Sequence, residues 1–247
     1  VATGDRRTAL VFRVLETPTA GDLLRLAQFA TEQDMDLWLQ PGGLDTLAPL
    51  HSDTPWPSYC LADFDLEFRF LPTDFVQVNA AINARAVARA VELMAPAPGE
   101  RVLDLFCGLG NFSLALARRG ARVTGVEGDA ALVERARDNA RRNGLEAEFH
   151  VANLFEDCRG LPWARQEYDG LLLDPPRAGA EASIHLVPLL QPRRIVYVSC
   201  HPGTLARDAG ILVNEFGYRL SGAGVMDMFP HTAHVESIAL FERRDRG

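Results

Sequence analysis

From residue 74 onward the chain alternates short, almost wholly apolar runs with segments of helical periodicity, and few folds accept that pattern. The runs RVLDLF, ARVTGVE, AEFHVA, YDGLLLD and RIVYVS lack the polar alternation of a sheet with one wet face. Such strands belong to a parallel sheet buried on both faces, with helices as the crossovers. The spacing predicts helices over 79–95, 111–119, 129–142, near 182–190 and over 203–215, the third ended by Asn143-Gly144. Two closing strands, near 217–226 and 235–243, are joined by a short loop, which predicts an antiparallel pair. The expectation is an α/β fold: a mostly parallel seven-stranded sheet with a final antiparallel strand.

Residues 1–73 have another texture. TALVFRV reads as a strand, and 20–33 as a helix with Leu23, Leu26, Ala27 and Ala30 at helical spacing. DLWLQ then PGG reads as strand and turn, and an irregular Pro-rich link follows at 49–59. LEFRFL, 66–71, alternates like a half-buried strand and stops at Pro72. This is a small α+β piece, with the second domain expected over 74–247. The chain starts without Met or a signal-peptide apolar region, so a fragment is expected, with 1–73 an incomplete piece.

Charge and cysteines narrow the class. A net charge of −8 counts against a nucleic-acid partner without excluding one, because phosphate contacts supply most non-specific affinity. All 25 basic residues are Arg, which fits a genome favouring Arg codons. No apolar run approaches the roughly 20 residues of a membrane span. Cys60, Cys107, Cys158 and Cys200 are far apart, with no C-x-x-C, so neither a disulfide framework nor a zinc pattern is present. A reducing, cytoplasmic setting fits, with a monomer as the default.

VLDLFCGLGNFSLALA is a strand, a Gly-rich turn and a helix start. Gly108 and Gly110 allow close approach of a ligand, but Ser113 stands where a dinucleotide fingerprint has its third glycine. Asp104 at the strand end would repel a pyrophosphate at the helix N-terminus. It would suit a cofactor with positive charge and no phosphate, and S-adenosylmethionine has those properties. Glu127, ending the next strand, is placed to hold ribose hydroxyls. A nicotinamide cofactor and a turn with no ligand are the alternatives.

LLLDPPRAG ends the fourth strand in a rigid turn. Where methyltransferases of exocyclic amines place an aromatic, this chain has Arg177, which either holds a phosphate or sits in a structural ion pair. Cys200 follows RIVYVS. Asp104, Glu127, Asp174 and Cys200 thus end four parallel strands, the edge where open α/β sheets bind ligands. A Cys just past a strand end is a candidate nucleophile, whereas one within the strand would be inert. Cys107 reads as a small filler of the turn. An antiparallel last strand would bring Glu236 to the same edge. His231 and His234 lack the further ligands a metal pair needs.

FVQVNAAIN, LDLFCGLGNFSL, VEGDAALVERARDNARRNG, LLLDPPRAG, RIVYVSCHPGTLARD and DMFPHTAHVES, in that order, resemble the RNA (uracil-5-)-methyltransferases over roughly residues 74–243. DMFPHTAHVES is closer to the 23S rRNA branch than to the tRNA branch. The resemblance implies a Rossmann-like S-adenosylmethionine-dependent methyltransferase fold over a catalytic domain, 74–247. It implies that Cys200 adds to carbon 6 of uracil and that Glu236 removes the carbon-5 proton. Cys200 then needs a lowered pKa or a nearby base. Gln77, Phe106, Asn111, Glu127, Asn153 and Asp174 would line the cofactor pocket beside Gly108 and Gly110, with Asp174, Arg177 and Gln77 toward the substrate. The implied partner is 23S rRNA, its target base flipped out of the stack. The same chemistry on tRNA, or a non-catalytic RNA module, is the alternative. The rRNA enzymes resembled usually begin with a β-barrel RNA-binding domain and cysteines holding an iron–sulfur cluster. This chain has neither, and residues 1–73 are similar to the C-terminal part of that branch's central domain, so either the fragment starts after both, with the cluster in the full-length protein, or this is a family member lacking the cluster.

Overall fold

The computed structural model describes residues 1–244, in two units. The first comprises Val1–Cys60 and Glu67–Val76; the second comprises Leu61–Leu66 and the chain from Gln77 onward.

In the first unit, β1 (Ala2–Thr3), β2 (Thr8–Arg13), β3 (Met35–Gln40) and β4 (Ala48–Pro49) form one sheet in that order. β2 and β3 are parallel, Thr8 opposite Met35, joined by α1 (Ala20–Gln33). A capping box starts α1: the Thr19 side chain accepts from the Asp22 N–H, and the Asp22 carboxylate accepts from the Thr19 N–H. No residue of α1 is buried, so its apolar stripe is only half covered. β5 (Ser58–Leu61) and β6 (Leu66–Arg69) pair as a two-stranded ribbon. The expected alternation holds there: Leu66, Phe68 and Phe70 are buried and Glu67 is exposed.

The second unit opens with α2 (Ala80–Met94), capped by the Asn79 side chain accepting from the Ile82 N–H. Then come β7 (Arg101–Leu105), α3 (Asn111–Arg118), β8 (Arg122–Glu127), α4 (Ala130–Arg142), β9 (Glu148–Val151) and β10 (Gly170–Leu173). α5 (Glu181–Ile184), α6 (Val187–Leu190), β11 (Arg194–Ser199), α7 (Pro202–Asn214), β12 (Tyr218–Met226) and β13 (Glu236–Arg243) complete it. The sheet order is β12-β13-β11-β10-β7-β8-β9. The five strands from β11 to β9 are parallel, and β13 runs antiparallel to both neighbours. Every residue of β10 is buried, as are Val102, Leu103, Asp104 and Leu105 of β7, the signature of a sheet covered on both faces.

From β7 the chain proceeds outward to β8 and β9, then returns across to β10. The direction of winding therefore reverses between β7 and β10, and the turns after these strands diverge to leave a crevice. One expected helix is not continuous: the segment near 182–190 is two four-residue helices, α5 and α6. Pro188 has no N–H to donate to Ile184, and its ring crowds that carbonyl, which breaks the helix between them.

Candidate active site

The crevice begins with the turn after β7. Its chain reverses through left-handed backbone at Phe106 (φ 66°), Gly108 (54°) and Gly110 (94°). The Phe106 and Cys107 N–H groups both donate to the Val126 carbonyl, at 2.9 and 3.1 Å, which ties the turn to β8. A Cβ built on Gly108 would meet no atom within 4 Å and would project into open space. Gly110 caps α3 without a side chain.

Glu127 at the end of β8 is held by three backbone donors. Gly108 N–H reaches its Oε2 at 3.1 Å, and Gly128 and Asp129 N–H groups reach its Oε1 at 2.7 and 3.1 Å. Asp104 lies within β7 with its side chain fully buried. Ser113, the residue in place of a third glycine, donates its hydroxyl to Asp104 Oδ2, while Oδ1 has no hydrogen-bond partner. Burial pushes the Asp104 carboxyl up to about 7, and the charge of Glu127 adds to this against the lowering effect of Ser113.

Asn111 opens α3, and its amide pairs reciprocally with buried Asn83 of α2, at 2.8 and 3.2 Å. The pair brings the starts of α2 and α3 together. Gln77, half-buried, lies three residues before the first residue of α2. Asn153, past β9, is exposed and donates to Glu156 at 2.7 Å. Phe106 packs at 5.7 Å between ring centroids against half-exposed Phe155. Asn83 and Phe155 were not singled out from the sequence. Asn83 did carry a signal, as the lone amide on the apolar face of AAINARAVARAVELM.

Asp174 follows β10, with its N–H on the Leu105 carbonyl at 3.3 Å. Burial raises its carboxyl to about 8, with further upward pressure from Asp104, Glu236 and Glu127. Four carboxyl groups from β7, β8, the turn after β10 and β13 thus share one electrostatic field. Among the described residues, no group of three or more His, Cys, Asp or Glu is arranged to hold a metal ion.

Cys200, half-buried, is one residue past β11. Ser199 lies opposite Ser237 in the antiparallel ladder, and Ser237 Oγ donates to the Ser199 carbonyl at 3.2 Å. Cys200 directly follows Ser199, and Glu236, the first residue of β13 and itself only 6% exposed, directly precedes Ser237, so both adjoin the same end of that ladder. The thiol pKa is raised: burial is the largest cause, then Glu236 and Asp174, with Arg177 among the opposing influences. A lowered pKa is therefore not found in the free protein, and a nearby carboxylate is. Burial also raises Glu236, which His234 partly offsets. Arg177 is exposed, with Nη1 3.3 Å from His234 Nδ1. Cys107 is buried in the turn, and burial pushes its thiol well up.

The model of the tRNA (uracil-5-)-methyltransferase family matches residues 32–244. A 23S rRNA (uracil(1939)-C(5))-methyltransferase RlmD of Methylococcus capsulatus is 57% identical over 244 residues, 98% of this chain and 55% of the relative. Its namesake in Stenotrophomonas maltophilia is 55% identical, over 98% of this chain and 54% of the relative. The chain thus spans about half the length of these curated relatives. The solved Pyrococcus abyssi tRNA (uracil-54, C5)-methyltransferase, in complex with S-adenosyl-L-homocysteine, is 28% identical, with a TM-score of 0.77 over 97% of this chain and 57% of that one. The solved M. jannaschii TYW2, in complex with AdoMet, is 15% identical with a TM-score of 0.59, over 85% of this chain and 94% of that one, and shares the fold alone. Since the family model matches most of its length, the chain belongs to the tRNA (uracil-5-)-methyltransferase family.

Proposed function

We propose that this chain is the catalytic part of an enzyme that methylates carbon 5 of a uridine in 23S rRNA. The observation that supports the reading is the antiparallel ladder that ends with Ser199 opposite Ser237, so that Cys200 and Glu236 adjoin the same end of it and Glu236 acts electrostatically on the thiol. The choice of rRNA rests on the names of the relatives at 55–57% identity.

The residues fit S-adenosylmethionine. The open space at Gly108, the unpartnered Oδ1 of buried Asp104 and the shared field of four carboxyls suit a ligand with positive charge and no phosphate. Glu127, Asp174, Gln77, Asn111, Asn153 and the Phe106 ring would hold it around Gly108 and Gly110. When bound, it supplies an electrophilic methyl group.

Carbon 5 of uracil is a weak nucleophile until carbon 6 carries a thiolate. Cys200 adds to carbon 6, and the electron pair moves through carbon 5 toward the carbonyl at carbon 4, which makes carbon 5 nucleophilic. The thiolate needs support, because Glu236 and Asp174 oppose it; Arg177 is the fixed positive charge that favours it. Once carbon 5 bears its methyl group, Glu236 takes the remaining proton, the ring double bond re-forms and the thiolate leaves. The target base must be out of its stack to reach residues this far into a crevice. Four free cysteines suit a reducing cytoplasm.

The test uses the full-length protein, S-adenosylmethionine and RNA with 5-tritiated uridine. Cys200→Ala should lower tritium release by about a thousandfold or more, as loss of a covalent nucleophile does, with cofactor binding retained. Release at the wild-type rate would remove Cys200 from the mechanism. A second reading, methylation of tRNA, is favoured by the family description and the Pyrococcus abyssi enzyme. Mapping 5-methyluridine in 23S rRNA and tRNA assayed side by side decides between the two.

A further inference from the structure

Asp208 is a buried carboxylate outside the four just described. It lies on α7 with no exposed surface and sits at the centre of a tight network. Its Oδ2 accepts from the Ala180 N–H at 2.8 Å and from the Tyr197 hydroxyl at 2.6 Å. Its Oδ1 accepts from Arg207 Nε at 2.8 Å and Nη2 at 2.7 Å. All four partners are donors, so the site requires a group that only accepts.

The partners matter more than their number. Tyr197 belongs to β11, three residues before Cys200. Ala180 closes the loop that starts at Asp174 and carries Arg177. The neighbours of Asp208 on the helix grip the same loop: Thr204 Oγ1 donates to the Arg177 carbonyl at 3.3 Å, and Arg207 Nη2 to the Ala178 carbonyl at 3.1 Å. The loop passes so close to α7 that a Cβ on Gly179, at φ +82°, would lie 2.6 Å from Arg207 Nη2 and 2.9 Å from Asp208 Oδ2. One carboxylate therefore joins the strand that ends in the thiol to the loop that bears Asp174 and Arg177.

We infer that Asp208 is a positioning residue, which fixes the spacing between Cys200 and the Asp174–Arg177 loop and thereby sets the rate of attack on the pyrimidine. This rests on the function proposed above. Thiol addition needs the sulfur within contact distance of carbon 6 while the loop holds the base, and a displacement of about 1 Å costs on the order of a hundredfold in rate. Asn at 208 would set an N–H against one of the four donors. Phe at 197 would delete one bond and leave the rest.

The test compares full-length wild type, Asp208→Asn and Tyr197→Phe. Calorimetric titration with S-adenosylmethionine counts the sites competent to bind it, and tritium release gives kcat and KM per competent site. The expected result in Asp208→Asn is a kcat per competent site lower by about tenfold or more, a larger fold-change than any change in cofactor Kd. Tyr197→Phe should show a smaller fall, about threefold, with KM for RNA little changed. A merely structural anchor would lose competent sites without changing kcat per site, and that outcome in both variants overturns the inference. If Asp208→Asn does not fold, Tyr197→Phe decides alone. An inactive wild type, or an active Cys200→Ala, would instead overturn the proposed function.

Discussion

A carboxyl group sealed inside a sheet must either keep its proton or meet a cation. Asp104, sealed inside β7, is raised to about 7 and half-buried Asp174, in the turn after β10, to about 8, both chiefly by burial, with Glu127 adding to the first and Asp104, Glu236 and Glu127 to the second. At pH 6 both are largely protonated; through pH 7 and 8 they ionise. A cationic ligand binds the ionised forms and pulls both pKa values down, so binding releases protons and tightens as pH rises. S-adenosylmethionine affinity should therefore increase by a few-fold to about tenfold per pH unit between pH 6 and 8. Calorimetry in two buffers of different ionisation enthalpy reads both the affinity and the protons released. Affinity flat across that range, with no proton release, would mean that the carboxyl cluster does not serve the cofactor. Asp174→Asn should remove the upper part of the dependence and leave the lower part.

At the scale of the element, the turn after β7 separates two tasks that glycine performs. Gly108 and Gly144 both have positive φ, 54° and 64°, and neither has an atom within 4 Å of its built Cβ. Alanine at either should cost about 1 kcal/mol through backbone strain, which thermal unfolding measures. Only Gly108→Ala should weaken S-adenosylmethionine binding, by about tenfold or more, because its methyl group would enter the space proposed above for the cofactor. Equal binding by the two variants would place the cofactor elsewhere. The helices show how far local rules reach. α4 is capped by Asp129, whose side chain accepts from the Ala131 N–H, and stops before Asn143-Gly144, as its sequence predicts. The segment near 182–190 has helical periodicity as well, but Pro188 divides it.

Over the whole molecule, burial is unevenly spread across the larger sheet. Leu171 in central β10 has no exposed surface, whereas Leu220 on edge strand β12 is 53% exposed. Leu171→Ala should destabilise by about 2–5 kcal/mol, and Leu220→Ala by no more than about 0.5 kcal/mol. Urea or thermal unfolding of the two variants checks this, and similar losses would contradict the burial pattern. β12 is exposed from Arg219 to Val225, so the apolar run that reads as a strand does not by itself reveal whether the strand is central or at the edge.

The sequence by itself determined the alternation of strands and helices, the turns at Gly108 and Asp174, and hence which polar residues stand at strand ends. These follow from period, from proline and glycine geometry and from caps, all of which act over a few residues. Only the tertiary structure decided that Asn111 pairs with Asn83, that Ser113 bonds Asp104, that the Cys200 thiol is raised rather than lowered, and that Asp208 links strand to loop. Each depends on a partner 9 or more residues distant, brought near by the sheet order. Desolvation and charge depend on everything packed around a group, and packing is settled only when the distant segments have met.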